Sequence, residues 1–286
     1  MAGMMLSEDM ETATTGPWER VDALEDGRGF VDRSEDRALI VRGADARGWL
    51  GDLVTADVAT LRPGLSRRTL LLTPTGRIRA DLWITRSDDD AFVVLQANDQ
   101  PEPVENLLRP YVLSSAVRLE DATALLSVLV FPAPEEIVTV PRSDLGALEQ
   151  TMNERGVVLV DEPSFEVWRV GRGEPRMGTD FEAGDLPAEA RMERLIDMAK
   201  GCFLGQESVA KVRNLGHPPT ILRHLRSDVT LAPDVPVHAA GEVVGRVTSV
   251  VPGRHGGSVL MARVAWRGAS ADLHAADGSP LFPLPD

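Results

Sequence analysis

The chain has 286 residues, 43% of them hydrophobic and 26% charged, with a formal net charge of −14. That length exceeds one ordinary core and predicts two or three packed lobes, and that composition excludes a disordered, collagenous or membrane-spanning class. The acidic balance excludes general binding to nucleic acid or an anionic membrane, which takes many Lys or Arg contacts to phosphate.

Residues 1–17 read as a solvated, disordered tail, because Glu8, Asp9 and Glu11 stand where a secretory leader needs a basic start and an apolar middle. Beyond it, RALIV (37–41) predicts a strand, and Trp49, Leu50, Leu53 and Val54 recur at helical spacing. SRRTLLLT and RIRADLWIT flank Thr73-Pro74-Thr75-Gly76, a sequence suited to a tight turn between antiparallel strands. AFVVLQA predicts a further strand. Val104, Leu107, Leu108, Tyr111 and Val112 form a helical stripe that Pro110 should shorten. AVRLED closes this unit as a strand.

ALLSVLVF (124–131) opens a second round and is far too short to span a bilayer. A helix is expected from about Ser143, a good N-cap, to Gly156, a good stop, and VVLV and FEVWRVG are read as returning strands. The turn-rich stretch 214–220 is the expected joint to a C-terminal β-barrel or sandwich, in which GEVVGRVTSVV and SVLMARVAW are strands. The fold class is therefore α+β: two α+β lobes over 18–216, with a middle lobe near 56–121, and a β-barrel over 217–286.

Cys202 is the only cysteine, so no internal disulfide is possible, and a reducing compartment, the cytoplasm, is the expected setting. Lys200 and Lys211, which flank it, are the only lysines among thirty basic residues. A neighbouring cation and a helix starting near Gly205 would activate the thiol, whereas most lone cysteines are small buried hydrophobes. One thiolate cannot hold a cluster alone, and neither an H-E-x-x-H pattern nor a calcium-loop spacing is present, so no bound metal is expected. His217, near the Cys202 segment, either reaches the same cavity or is a loop residue. Arginines gather at Arg62, Arg67, Arg68, Arg77 and Arg79 and again at Arg169, Arg172 and Arg176. They read either as a polycarboxylate site or as a charged guard on strand edges.

The segment KGCFLGQE (200–207) is similar to the signature of the YgfZ family, which acts in late iron–sulfur assembly. EPRMGTDFEAGDLPAEA resembles the Gly-x-Asp and Pro-x-Glu segment shared with the glycine-cleavage aminomethyltransferase, and GEVVGRVTSVV resembles a strand of that family's barrel. The resemblance implies a three-unit cloverleaf around a central channel with tetrahydrofolate as ligand. It also implies partnership with iron–sulfur enzymes or their assembly factors, including enzymes that modify tRNA. On that reading Asp81 sits near the pterin, Arg169 or Arg172 near the carboxylates, and Gln206 and Glu207 contribute to the folate site. Cys202, tuned by Lys200, acts at the channel mouth. Aminomethyltransferases carry paired aspartates where this chain has Ala80 and Asp81, a Glu where Gly171 stands, and no cysteine at the position of Cys202. Those departures favour the iron–sulfur role over one rival, a folate-dependent aminomethyltransferase or demethylase, and the thiol-activating setting of Cys202 disfavours the other, a folate-sensing regulator without chemistry.

Overall fold

Alternation of apolar and polar residues builds the first sheet. Along Ile78–Asp88 the side chains of Ala80, Leu82 and Ile84 are buried on one face, while Asp81 and Trp83 point to the other; a register shift opposite Leu71 and Leu72 sends Ile78 into a separate cluster with Leu70 and Leu72. The computed structural model describes residues 17–113, 115–133, 135–269 and 271–285. Strands β2 (Arg37–Arg42), β3 (Ser66–Leu72), β4 (Ile78–Asp88), β5 (Ala91–Gln96) and β6 (Arg118–Asp121) form an antiparallel sheet in the order β3-β4-β5-β2-β6. Helix α2 (Ala46–Leu53) lays Trp49, Leu50 and Leu53 on one face of it.

The second sheet has the order β8-β7-β1-β9, from β1 (Gly29–Asp32), β7 (Leu126–Phe131), β8 (Glu136–Pro141) and β9 (Val158–Leu159). Its pairs are antiparallel except β1 with β9, which run parallel. Ala38 and Leu95 of the first sheet pack on Val128 and Ile137 of the second, so the two lobes share a core. Helices α1 (Pro17–Glu25), α4 (Leu145–Glu154) and α5 (Glu162–Gly171) pack around the second sheet. Strands β10 (Thr220–Ser227), β11 (Pro236–Ala239), β12 (Glu242–Pro252), β13 (Ser258–Ala265), β14 (Leu273–Ala275) and β15 (Pro280–Pro283) close a six-stranded barrel. Val170 of α5 packs on Leu222, Val251 and Met261, which ties barrel to lobes.

Several expectations are corrected. FEVWRVG is helix α5, not a strand: Asp161 caps it by accepting from the Ser164 amide at 2.9 Å, and Pro163 sits in its first turn. Ser143 does not cap α4; its hydroxyl donates to the Asp144 carboxylate at 2.7 Å, and a short 3₁₀ turn, Arg142–Asp144, precedes the helix. The stripe at 104–112 is helical only over α3 (Val104–Leu108), then tightens into a 3₁₀ turn, Arg109–Tyr111, around Pro110. Helix α6 (Gln206–Leu215) takes the first residues of the expected joint. The tail expected over 1–17 lies outside the described residues except for Pro17, which begins α1.

Candidate functional site

The two sheets, α5 and the segment after it enclose a cavity of about 320 Å³. Asp81, Arg169 and Arg172 line it, while Lys200, Cys202, Gln206 and Glu207 do not, so the predicted site residues separate into two places. No barrel residue lines it, which sets the cavity between the lobes rather than at the meeting of all three units.

Pairing on the β3–β4 hairpin puts Arg68 opposite Trp83 and Leu70 opposite Asp81, so Arg68 and Asp81 are diagonal neighbours on the cavity face. Arg68 donates from Nη2 to Asp81 Oδ2 at 2.6 Å and from Nε to Oδ1 at 3.0 Å, a bidentate pair. Arg68 Nη1 donates to Glu174 Oε2 at 2.9 Å, and Arg194 pairs with the same carboxylate. Burial alone would lower the Arg68 pKa; the charge and hydrogen bonds of Asp81, with Glu174 behind them, raise it instead and keep the guanidinium charged. Both oxygens of Asp81 are thus engaged by a permanent cation. Gln100 fixes the strand beside it, its Oε1 accepting from the Asp81 amide at 3.1 Å and its Nε2 donating to the Asp81 carbonyl at 2.7 Å.

Arg169 belongs to a buried knot and is not available to a ligand. Its N–H groups donate to both carboxylate oxygens of Glu166, to the Glu174 carbonyl at 2.6 Å, to Asp180 Oδ2 at 2.7 Å and to Ser249 Oγ at 2.9 Å. That uses all five donors of a guanidinium. Asp180, 0% exposed at its side chain, also accepts from Thr248 Oγ1 and Ser249 Oγ, each at 2.6 Å, and from the Arg176 amide at 3.0 Å. The Gly-x-Asp and Val-Thr-Ser segments of the sequence are therefore two halves of one structural clasp between α5 and the barrel.

Arg172 differs. Its guanidinium lies 5.6 Å from the Trp168 ring and makes no ion pair among the described residues, although it lines the cavity. The other arginines lining the cavity are matched: Arg33 with Glu162 at 3.0 Å, and Arg176 with Asp99 at 3.1 Å and Glu162 at 3.0 Å. Trp168 stacks on Phe165 with centroids 5.7 Å apart, and both line the cavity. Trp168 is 7% exposed, yet its indole N–H has no hydrogen-bond partner among the described residues. A buried donor left unmatched is costly unless something else accepts from it. Asp36, also on the wall, has its pKa raised by burial and by Asp99, against the pull of Arg33, the Asn98 amide and Arg176.

The reading of 165–171 as a strand hid this ledge. Phe165, Trp168, Arg169 and Arg172 follow one another at i, i+3, i+4 and i+7, which is helical spacing, and Asp161-Glu162-Pro163-Ser164 is a helix-start sequence. Glu174 and Arg194 carried no local signal, because only the fold brings them to Arg68.

The 200–207 segment packs elsewhere, against α2 and the hairpin turn. Lys200 Nζ donates to the carbonyls of Gly51 at 2.6 Å, Val54 at 2.6 Å and Ala56 at 2.9 Å. Its three donors are used, so the ammonium donates no hydrogen bond to Cys202. Phe203 is buried beside Leu70 and Leu72, and the Leu204 amide donates to the Asp52 carbonyl at 2.9 Å. Gly205 has φ +84, and a Cβ there would come within 2.4 Å of the Thr73 carbonyl, so only glycine fits. Gln206 and Glu207 form the first turn of α6. Cys202 is exposed, against the buried-hydrophobe alternative. His217 stacks on Trp266 at 5.0 Å and lines no cavity described here.

Residues 11–138 match the family described as GCVT N-terminal domain. The chain is 27% identical over 233 residues to an aminomethyltransferase of Prosthecochloris aestuarii, covering 64% of this chain and 64% of that protein. It is 25% identical over 198 residues to an uncharacterized protein of Haemophilus influenzae, covering 65% of this chain and 69% of that one. The chain thus spans just under two thirds of the aminomethyltransferase relative. Its fold matches the crystal structure of glycine cleavage system aminomethyltransferase T from Bartonella henselae with a TM-score of 0.77 at 18% identity, over 92% of this chain and 88% of that chain. Residues 11–138 are thus similar to a GCVT N-terminal domain, and the chain has an aminomethyltransferase-like α+β fold.

Proposed function

We propose that the chain binds tetrahydrofolate or a derivative in the cavity between its lobes and supports assembly or repair of iron–sulfur enzymes, including tRNA-modifying ones, through the exposed thiol of Cys202. The observation that carries the folate reading is the α5 ledge: a stacked Phe165–Trp168 pair, an orphan indole N–H and the ion-pair-free Arg172 guanidinium, all in one cavity wall. An aromatic body with carboxylates at one end suits an aromatic ledge, a donor and a free cation. Arg172 would hold a carboxylate, and the Arg68–Asp81 pair would present donor and acceptor atoms to the pterin. A reduced folate, when bound, supplies ring nitrogens that carry one-carbon groups.

The pairing of Asp81 favours binding over aminomethyl transfer or demethylation. A base that took a proton would give up the negative charge that matches the buried Arg68 guanidinium, to which both Asp81 oxygens are bonded, whereas the second lone pair of each oxygen remains for accepting from a ligand. The relatedness of the 200–207 segment and the exposure of Cys202 support the iron–sulfur role, in which the thiol would meet a cluster transiently beside ligands from a partner.

Titration with tetrahydrofolate, read by Trp fluorescence and thermal shift, tests the folate reading on wild type, Arg172→Gln and Trp168→Phe. Saturable binding weakened about tenfold in Arg172→Gln is expected, in line with the loss of a charged hydrogen bond. No binding at millimolar ligand overturns it. The thiol is tested separately by complementation: a Cys202→Ser chain that restores iron–sulfur enzyme activity as well as wild type would sink that half.

A further inference from the structure

A second cavity, of about 450 Å³, lies between α6, the segment 186–198 and Gly76 of the hairpin turn. Its volume is in the range of small-molecule sites. One side is apolar, formed by Leu186, Pro187, Ile196, Met198, Val209 and Val212. Three charges complete it: Arg194, Arg213 and Glu193. The Arg213 side chain makes no ion pair or hydrogen bond among the described residues, and Arg194 reaches away to Glu174 in the first cavity, which it also lines.

We propose that this second cavity binds a small organic monoanion with an apolar body, held by Arg213 and Arg194, and that it opposes anion binding in the first cavity. Apolar walls favour an apolar body by removing it from water. Arg194 is already matched by Glu174, so Arg213 is the guanidinium left to pair, which selects a single anionic group over a neutral molecule or a dianion. The opposition follows from a continuous chain of charges, Asp81–Arg68–Glu174–Arg194, that runs from one cavity to the other. An anion that draws Arg194 to itself leaves Glu174 with Arg68 alone, adding negative charge to the first cavity. Linkage makes the effect reciprocal. This second part rests on the folate reading above; the binding of a monoanion does not.

The probe is 8-anilinonaphthalene-1-sulfonate, a monoanion with an apolar body whose fluorescence rises in apolar sites, titrated into the full chain. Saturable binding at one site is expected, weakened at least fivefold by Arg213→Gln and by Val212→Trp, which puts an indole into the cavity, and unchanged by Arg172→Gln in the first cavity. Arg213 is exposed, so its variant should fold even where Val212→Trp does not. Binding that both cavity variants leave intact, or that Arg172→Gln weakens instead, overturns the site. Saturating tetrahydrofolate should then weaken the probe about fivefold in wild type and not in Arg194→Gln. Probe binding that folate leaves unchanged, in a protein shown by thermal shift to bind folate, overturns the coupling. Absence of folate binding condemns the folate reading and the coupling built on it while leaving the probe's site to stand on its own variants.

Discussion

Lys200 is a test of whether the 200–207 segment is chemical machinery or a structural clasp. The perturbation is Lys200→Met, which keeps the length and apolar stem and removes the ammonium. Three carbonyls, those of Gly51, Val54 and Ala56, lose their donor at the end of α2, where helix carbonyls lack partners within the helix. A hydrogen bond to a charged group contributes about 1.5–3 kcal/mol. Lys200 is half-buried, and burial pushes its pKa below the ordinary lysine value against the pull of Asp57, Asp197 and Asp52, so water replaces part of the loss and the lost ammonium refunds some desolvation. A net loss of about 3 kcal/mol follows, near the lower end for breaking a buried charged contact. For 286 residues this is a fall of about 5 °C in Tm. Lys200→Arg should recover little, because a planar fork does not converge on three carbonyls as an ammonium does. Thermal unfolding measures the loss, and iodoacetamide alkylation of Cys202 in the folded protein measures any effect on the thiol. An unchanged Tm with a several-fold slower alkylation would refute the structural role and restore Lys200 as the thiol's activator.

Three further outcomes are expected. Asp180→Asn removes one of the two charge partners of buried Arg169, leaving Glu166, and should cost about 3 kcal/mol in denaturant unfolding, whereas the double variant Arg169→Met, Asp180→Asn should recover part of it. Gly205→Ala sets a Cβ 2.4 Å from the Thr73 carbonyl at a φ of +84, and should cost more than the roughly 1 kcal/mol of a left-handed alanine alone, measured as a lowered Tm. Asp36 has a folded pKa above the ordinary 3.8, so its protonated form is favoured in the fold; its stabilising contribution is full below 3.8 and is lost as pH rises through the folded value. Asp36→Asn should therefore unfold at a higher temperature than wild type at pH 7, with the difference closing as the pH falls toward 4.

The strands were legible where one face is buried and the other is not. The alternation along 80–84 and the Thr73–Gly76 turn mark the hairpin, and the sustained β pattern after Thr220 marks the barrel. Two strands of the second sheet, Gly29–Asp32 and Glu136–Pro141, went unread because a four-residue segment carries too little periodicity and Pro141 masks the second. Segment 165–171 was misread because Val167, Trp168 and Val170 favour strands locally. Packing of Trp168 on α1 and of Val170 on the barrel overrides that preference.

The site was half legible for a reason that lies in the arginines. From sequence, Arg68, Arg169, Arg172 and Arg176 are equivalent candidates for holding a carboxylate, since each is a cation in an acidic chain. What separates them is where the acids fall in space, and that depends on pairings between residues as distant as Arg169 and Ser249 or Arg68 and Glu174. Folding assigns Asp81 and Glu174 to Arg68, Glu166 and Asp180 to Arg169, Asp99 and Glu162 to Arg176, and leaves Arg172 on the face of Trp168. The same sorting inverts the first impression of the motifs. The residues whose pattern is most recognisable in the sequence, Arg169, Asp180, Thr248, Ser249, Lys200 and Gly205, are the ones the structure spends on holding units together. The open valences, the Arg172 and Arg213 guanidiniums and the Trp168 indole N–H, belong to residues that no pattern singled out as a set. Ligand recognition in this fold is therefore to be sought in what remains unpaired after the clasp residues are subtracted: substitutions of the exposed Arg172 and Arg213 should change binding while leaving the Tm within about 1 °C of wild type, as surface changes of under about 0.5 kcal/mol do in a chain of this length, whereas those of Trp168, buried against α1, should lower the Tm as well.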